Sequence, residues 1–162
     1  MTRTRTAIVA LAGAVTLAGA TAQAADATTI HLLSRSIPSA GGLFDPNGNP
    51  LPGNAQPSAG SYFIGADNDF KGNHRRHSKR PIGWDHLLCT IVDPATFTVN
   101  CDAQLALPRG LIIADRQTVS FSAKKQVFKI TGGTGKYRHA KGGTVTSRST
   151  GNSNDTDLVI RY

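Results

Sequence analysis

The sequence has no glutamate. All ten of its acids are aspartate, set against 18 lysines and arginines, for a formal net charge of +8. Glutamate is a good helix former and aspartate a poor one, so this balance disfavours long solvent-facing helices. Charged residues are scarce overall, 17% of the chain against a usual ~25%. With 39% hydrophobic residues, that excludes both a disordered tail and a coiled coil. There are only two cysteines, so no second pair exists to complete a cysteine metal site. No helix-period segment follows the first two dozen residues. Nothing resembles a Ser-His-Asp or Cys-His nucleophile arrangement. Glycine (17) and proline (8) punctuate the chain instead, and threonine and valine are frequent, a β-protein composition. A length of 162 residues predicts one domain.

Residues 1–24 read as an export signal. Arg3 and Arg5 form a basic start, Ala7 to Ala20 is apolar, and Ala22-Gln23-Ala24 is a small-x-small cleavage site. The apolar run is too short and too rich in alanine and glycine for a good membrane span. No later segment could span a membrane, so the mature protein is expected to be secreted. Cleavage would remove two of the basic residues and none of the acids.

Export permits a disulfide. Leu87, Cys89 and Ile91 alternate on one face of a strand, as do Phe97, Val99 and Cys101. If Pro94-Ala95-Thr96 is a three-residue hairpin loop, Asp93 opposes Phe97, Ile91 opposes Val99 and Cys89 opposes Cys101. Direct opposition brings the two side chains within bonding range.

The rest of the mature chain reads as short β segments between turn residues. The first strand is Thr29 to Ile37. Residues 38–60, rich in proline, glycine and asparagine, read as a long loop with little to bury. Ser61 to Phe70 is the second strand, and the cysteine hairpin supplies the third and fourth. Leu111 to about Ala123, Val127 to Thr131, Gly143 to Ser149 and Thr156 to Tyr162 complete the set. Eight antiparallel strands suit an up-and-down β-barrel, with a two-sheet sandwich as the alternative from periodicity alone.

The stretch Ile130 to Tyr137 contains Gly132, Gly133 and Gly135. As a phosphate loop it fails, because Tyr137 stands where Ser or Thr must bind magnesium and no helix follows. As a dinucleotide loop it lies too near the end of the chain for a doubly wound sheet. It reads as a turn whose glycines permit positive φ and whose Tyr137 is the anchor.

This stretch, Phe128-Lys-Ile-Thr-Gly-Gly-Thr-Gly-Lys-Tyr-Arg-His-Ala-Lys-Gly-Gly143, resembles the glycine motif of the allene oxide cyclase-like and dirigent-like β-barrel proteins. Ser61 to Phe70 resembles their second strand with its paired acids. Leu87 to Val92, the Cys101 segment and Leu107-Pro108-Arg109-Gly110 resemble the cysteine hairpin and Leu-Pro-x-Gly turn of bacterial members. The similarity covers roughly residues 60–162. It implies an eight-stranded barrel with an apolar cavity for a small apolar ligand. Relatives guide cyclisation or stereoselective coupling, often without a cofactor. Plant members are commonly trimers, which implies a homo-oligomer. Allene oxide cyclases use a carboxylate, often glutamate, inside the barrel; with no glutamate here, no catalytic residue carries over from them.

Dirigent proteins place aspartates in the pocket, and Asp67 and Asp69 occupy a comparable strand. Two apart, they share a face with Phe63 and lie opposite Tyr62. Two carboxylates inside an apolar cavity repel, so one would keep a proton and serve as a general acid. An outward polar face is the alternative. Tyr62, Phe63, Trp84, Phe121 and Phe128 are expected ligand-lining residues. Lys71, Arg75, Arg76, Lys79 and Arg80 fall in a ten-residue run without an acid. It reads either as a polyanion patch or as a solvated loop. His74, His77 and His86 lack the spacing and fourth ligand of a metal site, so neither metal nor cofactor is expected.

Overall fold

The computed structural model describes residues 27–152 and 154–162, so the expected export signal lies outside the described residues. The strands are β1 (Thr29–Ser36), β2 (Gly42–Phe44), β3 (Tyr62–Asn73), β4 (Arg76–His77), β5 (Gly83–Asp93) and β6 (Thr98–Leu107). They continue with β7 (Gly110–Ser120), β8 (Lys125–Lys129), β9 (Gly132–Gly133), β10 (Thr144–Ser149) and β11 (Asp155–Arg161). The only helical pieces among the described residues are 3-10 turns at Pro38–Ala40 and Gly135–Tyr137.

Every strand pairing is antiparallel, in the order β8-β10-β11-β1-β3-β5-β6-β7-β9, with β2 and β4 attached to β3. The two ends of this order, β8 and β9, are separated in sequence by only Ile130 and Thr131. The Ile130 N–H donates to Gly143 O (2.8 Å), on the β10 side, and the Thr131 N–H to Ile113 O (2.9 Å), on β7. Thus the sheet curls until its two ends are consecutive stretches of one run of chain. Beside that seam a side chain substitutes for the ladder: the Lys129 N–H donates to Gln117 Oε1 (2.9 Å). The first and last strands also pair along their full length, from Thr29 opposite Arg161 to Arg35 opposite Asp155.

The all-β, barrel-like class is as the sequence predicts; the strand count is not. Eleven segments stand in place of eight, the additions being the short β2, β4 and β9. β2 and β4 fall in stretches read as loops. In the first, Asp45 folds a turn by accepting from the N–H groups of Asn47 and Asn49 (2.8 Å each). That returns Pro50 and Leu51 alongside β2, where Phe44 stacks on Tyr62 and Leu43 packs on the core. The segment thus buries more than its composition suggests.

The hairpin holds Cys89 opposite Cys101 and Ile91 opposite Val99, but Asp93 opposes Thr98. A bulge and a positive φ of 49° at Phe97 absorb the extra residue. Cys89 and Cys101 are bonded, with Cα atoms 4.1 Å apart, and both are fully buried. A second bulge lies where β7 passes β6. There Arg116 takes a φ of 54°, and its N–H donates to Asp102 Oδ1 (2.7 Å). Such bulges bend and twist strands, as a curled sheet requires.

In the glycine motif, Gly135 has a φ of 54°, and a Cβ there would stand 2.0 Å from Arg109 O. The motif therefore lies in backbone contact with the Pro108–Gly110 turn. Its amides are consumed there: the Thr134 N–H donates to Leu111 O and the Lys136 N–H to Arg109 O (2.9 Å each). A phosphate cradle needs such groups free, so the structure supplies a second reason against that reading. Tyr137 is buried beneath the turn, edge-on to Tyr162.

The disulfide spans 12 residues of sequence, and removing a cross-link of this size costs about 3 kcal/mol. The Cys89→Ala, Cys101→Ala variant should lower the unfolding free energy from urea titration by about that amount, and with it the midpoint. An unaltered midpoint would show that the bond adds nothing to folding.

Candidate functional site

The interior has two apolar clusters. One, beside the glycine motif, includes Leu32, Ile112, Ile130, Leu158 and Ile160; the other, around the disulfide, includes Ile91, Val99, Ala114 and Phe128. Between them lies a cavity of about 280 Å³. It exists because inward positions there are small. Gly65, Ala103 and Ala114 line it, and a Cβ built on Gly65 would meet nothing within 4 Å. Phe63, Phe121 and Phe128 form aromatic walls, with Phe63 and Phe121 edge to face at 5.2 Å.

One side of the cavity is acidic. Asp67 lies directly opposite Asp85 across β3 and β5, and Ser34 lies opposite Asp69 across β1 and β3. Asp67, Asp85 and Ser34 line the cavity, and Asp69 is fully buried on the same inward face of β3. The Ser34 hydroxyl is 2.6 Å from Asp67 Oδ2 and 3.0 Å from Asp85 Oδ2. A hydroxyl carries one hydrogen. If Ser34 donates to Asp67, a full second bond needs a proton donated by Asp85. The geometry alone therefore favours a proton inside the cluster.

Electrostatics agree. Burial, reinforced by the charges of Asp85 and Asp67, pushes the Asp69 carboxyl up to about 9. Burial and the charge of Asp67 push Asp85 up to about 7. Neither Asp69 oxygen has a hydrogen-bond partner at ordinary distance. Asp85 is nonetheless near enough that a proton on Asp69, aimed at Asp85, raises the one and lowers the other.

The structure brings together Asp67, Asp69, Phe63, Phe121 and Phe128 as the sequence suggests, and adds Asp85 and Ser34, which sequence reasoning passed over. Asp85 was within reach: it lies two and four residues before Leu87 and Cys89, on their face. Ser34 carries no comparable signal, since only the β1–β3 register places it. Tyr62 and Trp84 do not line the cavity. Alternation turns Tyr62 outward onto Phe44, and leaves Trp84 49% exposed on the outer face of β5.

The basic run is neither in the cavity nor a free loop. β4 pairs back on β3, the His74 N–H donates to Asp157 Oδ1 (2.7 Å), and the His74 ring pairs with the same carboxylate. His77 meets the edge of Phe70. Asp157 and Phe70 are the two cross-strand neighbours of Leu33, so the run arches over Leu33, which is fully buried although it faces outward. Lys71, Arg75, Arg76, Lys79 and Arg80 are exposed. Among the described residues, no three His, Cys, Asp or Glu side chains form a group that could hold a metal ion, and no helix is long and apolar enough to cross a membrane.

The curled antiparallel sheet is shared with proteins of known structure. A pyocyanin demethylase matches with a TM-score of 0.62 and 20% identity, over 82% of this chain and 98% of that one. Two pterocarpan synthase dirigent proteins match with TM-scores of 0.61, at 14% and 12% identity. They align over 83% of this chain, and over 92% and 84% of theirs. No family model and no curated protein sequence matches the chain.

The raised acids give stability a defined pH dependence. The folded protein holds protons that the unfolded chain releases near pH 4, so this contribution is complete below that value and is lost as pH rises through 7 to 9. Asp45, Asp93 and Asp155, held low by hydrogen bonds, act on the acid side of the window instead. The folding equilibrium should weaken by about tenfold per pH unit between pH 7 and 9, where Asp69 alone keeps its proton, and more steeply below pH 7, where both acids do. Asp69→Asn should flatten that slope. Denaturant titrations at each pH provide the check, and a wild-type slope of zero would contradict a proton held in the cluster.

Proposed function

We propose that the protein is a secreted barrel that binds a small apolar molecule and guides its cyclisation or coupling without a cofactor. The observation that carries this reading is the cavity of about 280 Å³, walled by aromatic rings and faced on one side by Asp67 and Asp85. Confinement holds a ligand in one reactive conformation, and orientation alone can supply several kcal/mol of a barrier. The acids add proton transfer. A neutral carboxyl at Asp85 protonates an oxygen of the ligand as its bonds reorganise, and the resulting carboxylate recovers a proton afterwards, with no net change to the protein. Asp69, behind them, is the proton reserve of the cluster. The neighbours' names, a synthase and a demethylase, fit small-molecule chemistry on this fold. The disulfide and the sequence of residues 1–24 support secretion.

Gly65→Leu is the direct test, since its side chain would enter the cavity without a backbone clash. Native mass spectrometry of the wild-type protein, purified from its own secretion medium, should show a bound small molecule. Gly65→Leu should lose it at an unchanged melting temperature. Adducts of equal mass and occupancy in both proteins would place binding elsewhere. Asp85→Asn should retain binding and reduce any turnover by about 10²-fold or more, the usual contribution of a positioned acid.

The outer surface supports a second activity on the same molecule. The basic run is fixed to the sheet through His74 and His77, and it displays its five cations with no acid paired to any of them among the described residues. We assign it to a polyanion. Replacing Lys71, Arg75, Arg76, Lys79 and Arg80 with glutamine should lower the salt needed to elute the protein from heparin well below that for the wild type. Unchanged elution would remove this assignment.

A further inference from the structure

Resting on the reading of the cavity as a site for a small, largely apolar ligand, we infer that this ligand is a flat aromatic molecule, apolar apart from one positively charged nitrogen, and that carboxylates are excluded. The chain is strongly basic, yet the charge it turns inward is acidic. Asp67 and Asp85 line the cavity, and no lysine or arginine does. Among the described residues, no lysine or arginine pairs with this cluster. The two ion pairs among the described residues, Arg35 with Asp155 and His74 with Asp157, both lie on the outer face. Arg35 follows Ser34 directly, but alternation turns it outward over the Phe70 ring. Asp69 stands behind them, fully buried and on the same inward face of β3.

Among the described residues, His86 is the one further titratable residue at the cavity wall. β1 contributes Ser34 and Ser36, β6 Gln104, β10 Ser147 and β11 Thr156. His86 on β5 and Gln104 on β6 both border the cavity, but each alternates with inward residues, Asp85 and Leu87 for the one and Ala103 and Leu105 for the other. At the inward positions a carboxylate ligand would therefore meet hydroxyls opposite Asp67 and Asp85. A cation would meet the acids at one end and the rings of Phe63, Phe121 and Phe128 along its length, and aromatic faces attract cations. A flat shape suits an edge-to-face aromatic wall. Because Asp69 and Asp85 share protons when the cavity is free of a cation, its arrival should expel part of them, and affinity should rise with pH.

N-methylquinolinium, 1-methylnaphthalene and 1-naphthoate share nearly one shape and carry charges of plus one, zero and minus one. Their binding to the full mature chain can be measured by calorimetry at pH 6 and pH 9. The cation should bind at least about tenfold more tightly than its neutral counterpart at pH 9, and tighten by about tenfold between the two pH values. Naphthoate should not bind. Asp67→Asn with Asp85→Asn should abolish the preference while keeping 1-methylnaphthalene binding, which controls for folding. If 1-methylnaphthalene or 1-naphthoate binds as tightly as the cation, the charge selectivity is wrong and the cavity remains a ligand site. If none of the three binds, the ligand-site reading fails and this inference fails with it.

Discussion

The bond between Cys89 and Cys101 holds β5 and β6 in the register that decides what the interior contains. Side chains on a strand alternate, so fixing one opposed pair fixes the others from Trp84 to Ile91, up to the bulge. With Cys89 inward, Leu87 and Asp85 are inward too, while Trp84, Leu88 and Val92 face outward, where they are exposed. β3 inherits its setting from β5, and Asp67 meets Asp85; β1 inherits its own from β3, and Ser34 meets Asp69. A slip of one residue between β5 and β6 would carry Trp84 into the cavity and Asp85 into water. The whole acidic wall thus descends from a covalent bond two strands away from Ser34.

That wall works against the fold that carries it. Aspartates directly opposed across strands repel, and burial penalises each charge. The chain accommodates them by keeping protons on the cluster and by spacing it from the aromatic walls with small residues. The same residues that lower packing density create the room for a ligand. Stability and function are therefore set against each other at Gly65, Ala103 and Ala114, where larger side chains would fill the barrel and close the site.

Strand periodicity made the all-β class, the cysteine pairing and the inward face of β3 legible from sequence. What it could not supply was pairing between strands distant in sequence. β1 sits between β3 and β11, so the neighbours of Ser34 come from residues far along the chain. β2 is not legible because its three residues pair with β3 far along the chain, and they lie in a stretch of loop-like composition. The basic run read as a choice between patch and solvated loop. The structure gives it an inner side of histidines and an outer side of cations, a division made by Asp157, some eighty residues later. Trp84 drew interest as a large aromatic, but chemical type does not decide which face a side chain occupies.

The pairing of β1 with β11 also orders events in time. A ribosome delivers β1 first, and one of its two partners is the last strand of the described chain. Until β11 has been made, β1 can be held only by β3, through Leu32 to Ser36. The acid cluster, built from β1, β3 and β5, can therefore assemble on a half-finished sheet, whereas the ring of strands stays open until its longest loop in sequence is closed. The nascent protein would acquire its chemistry before its enclosure.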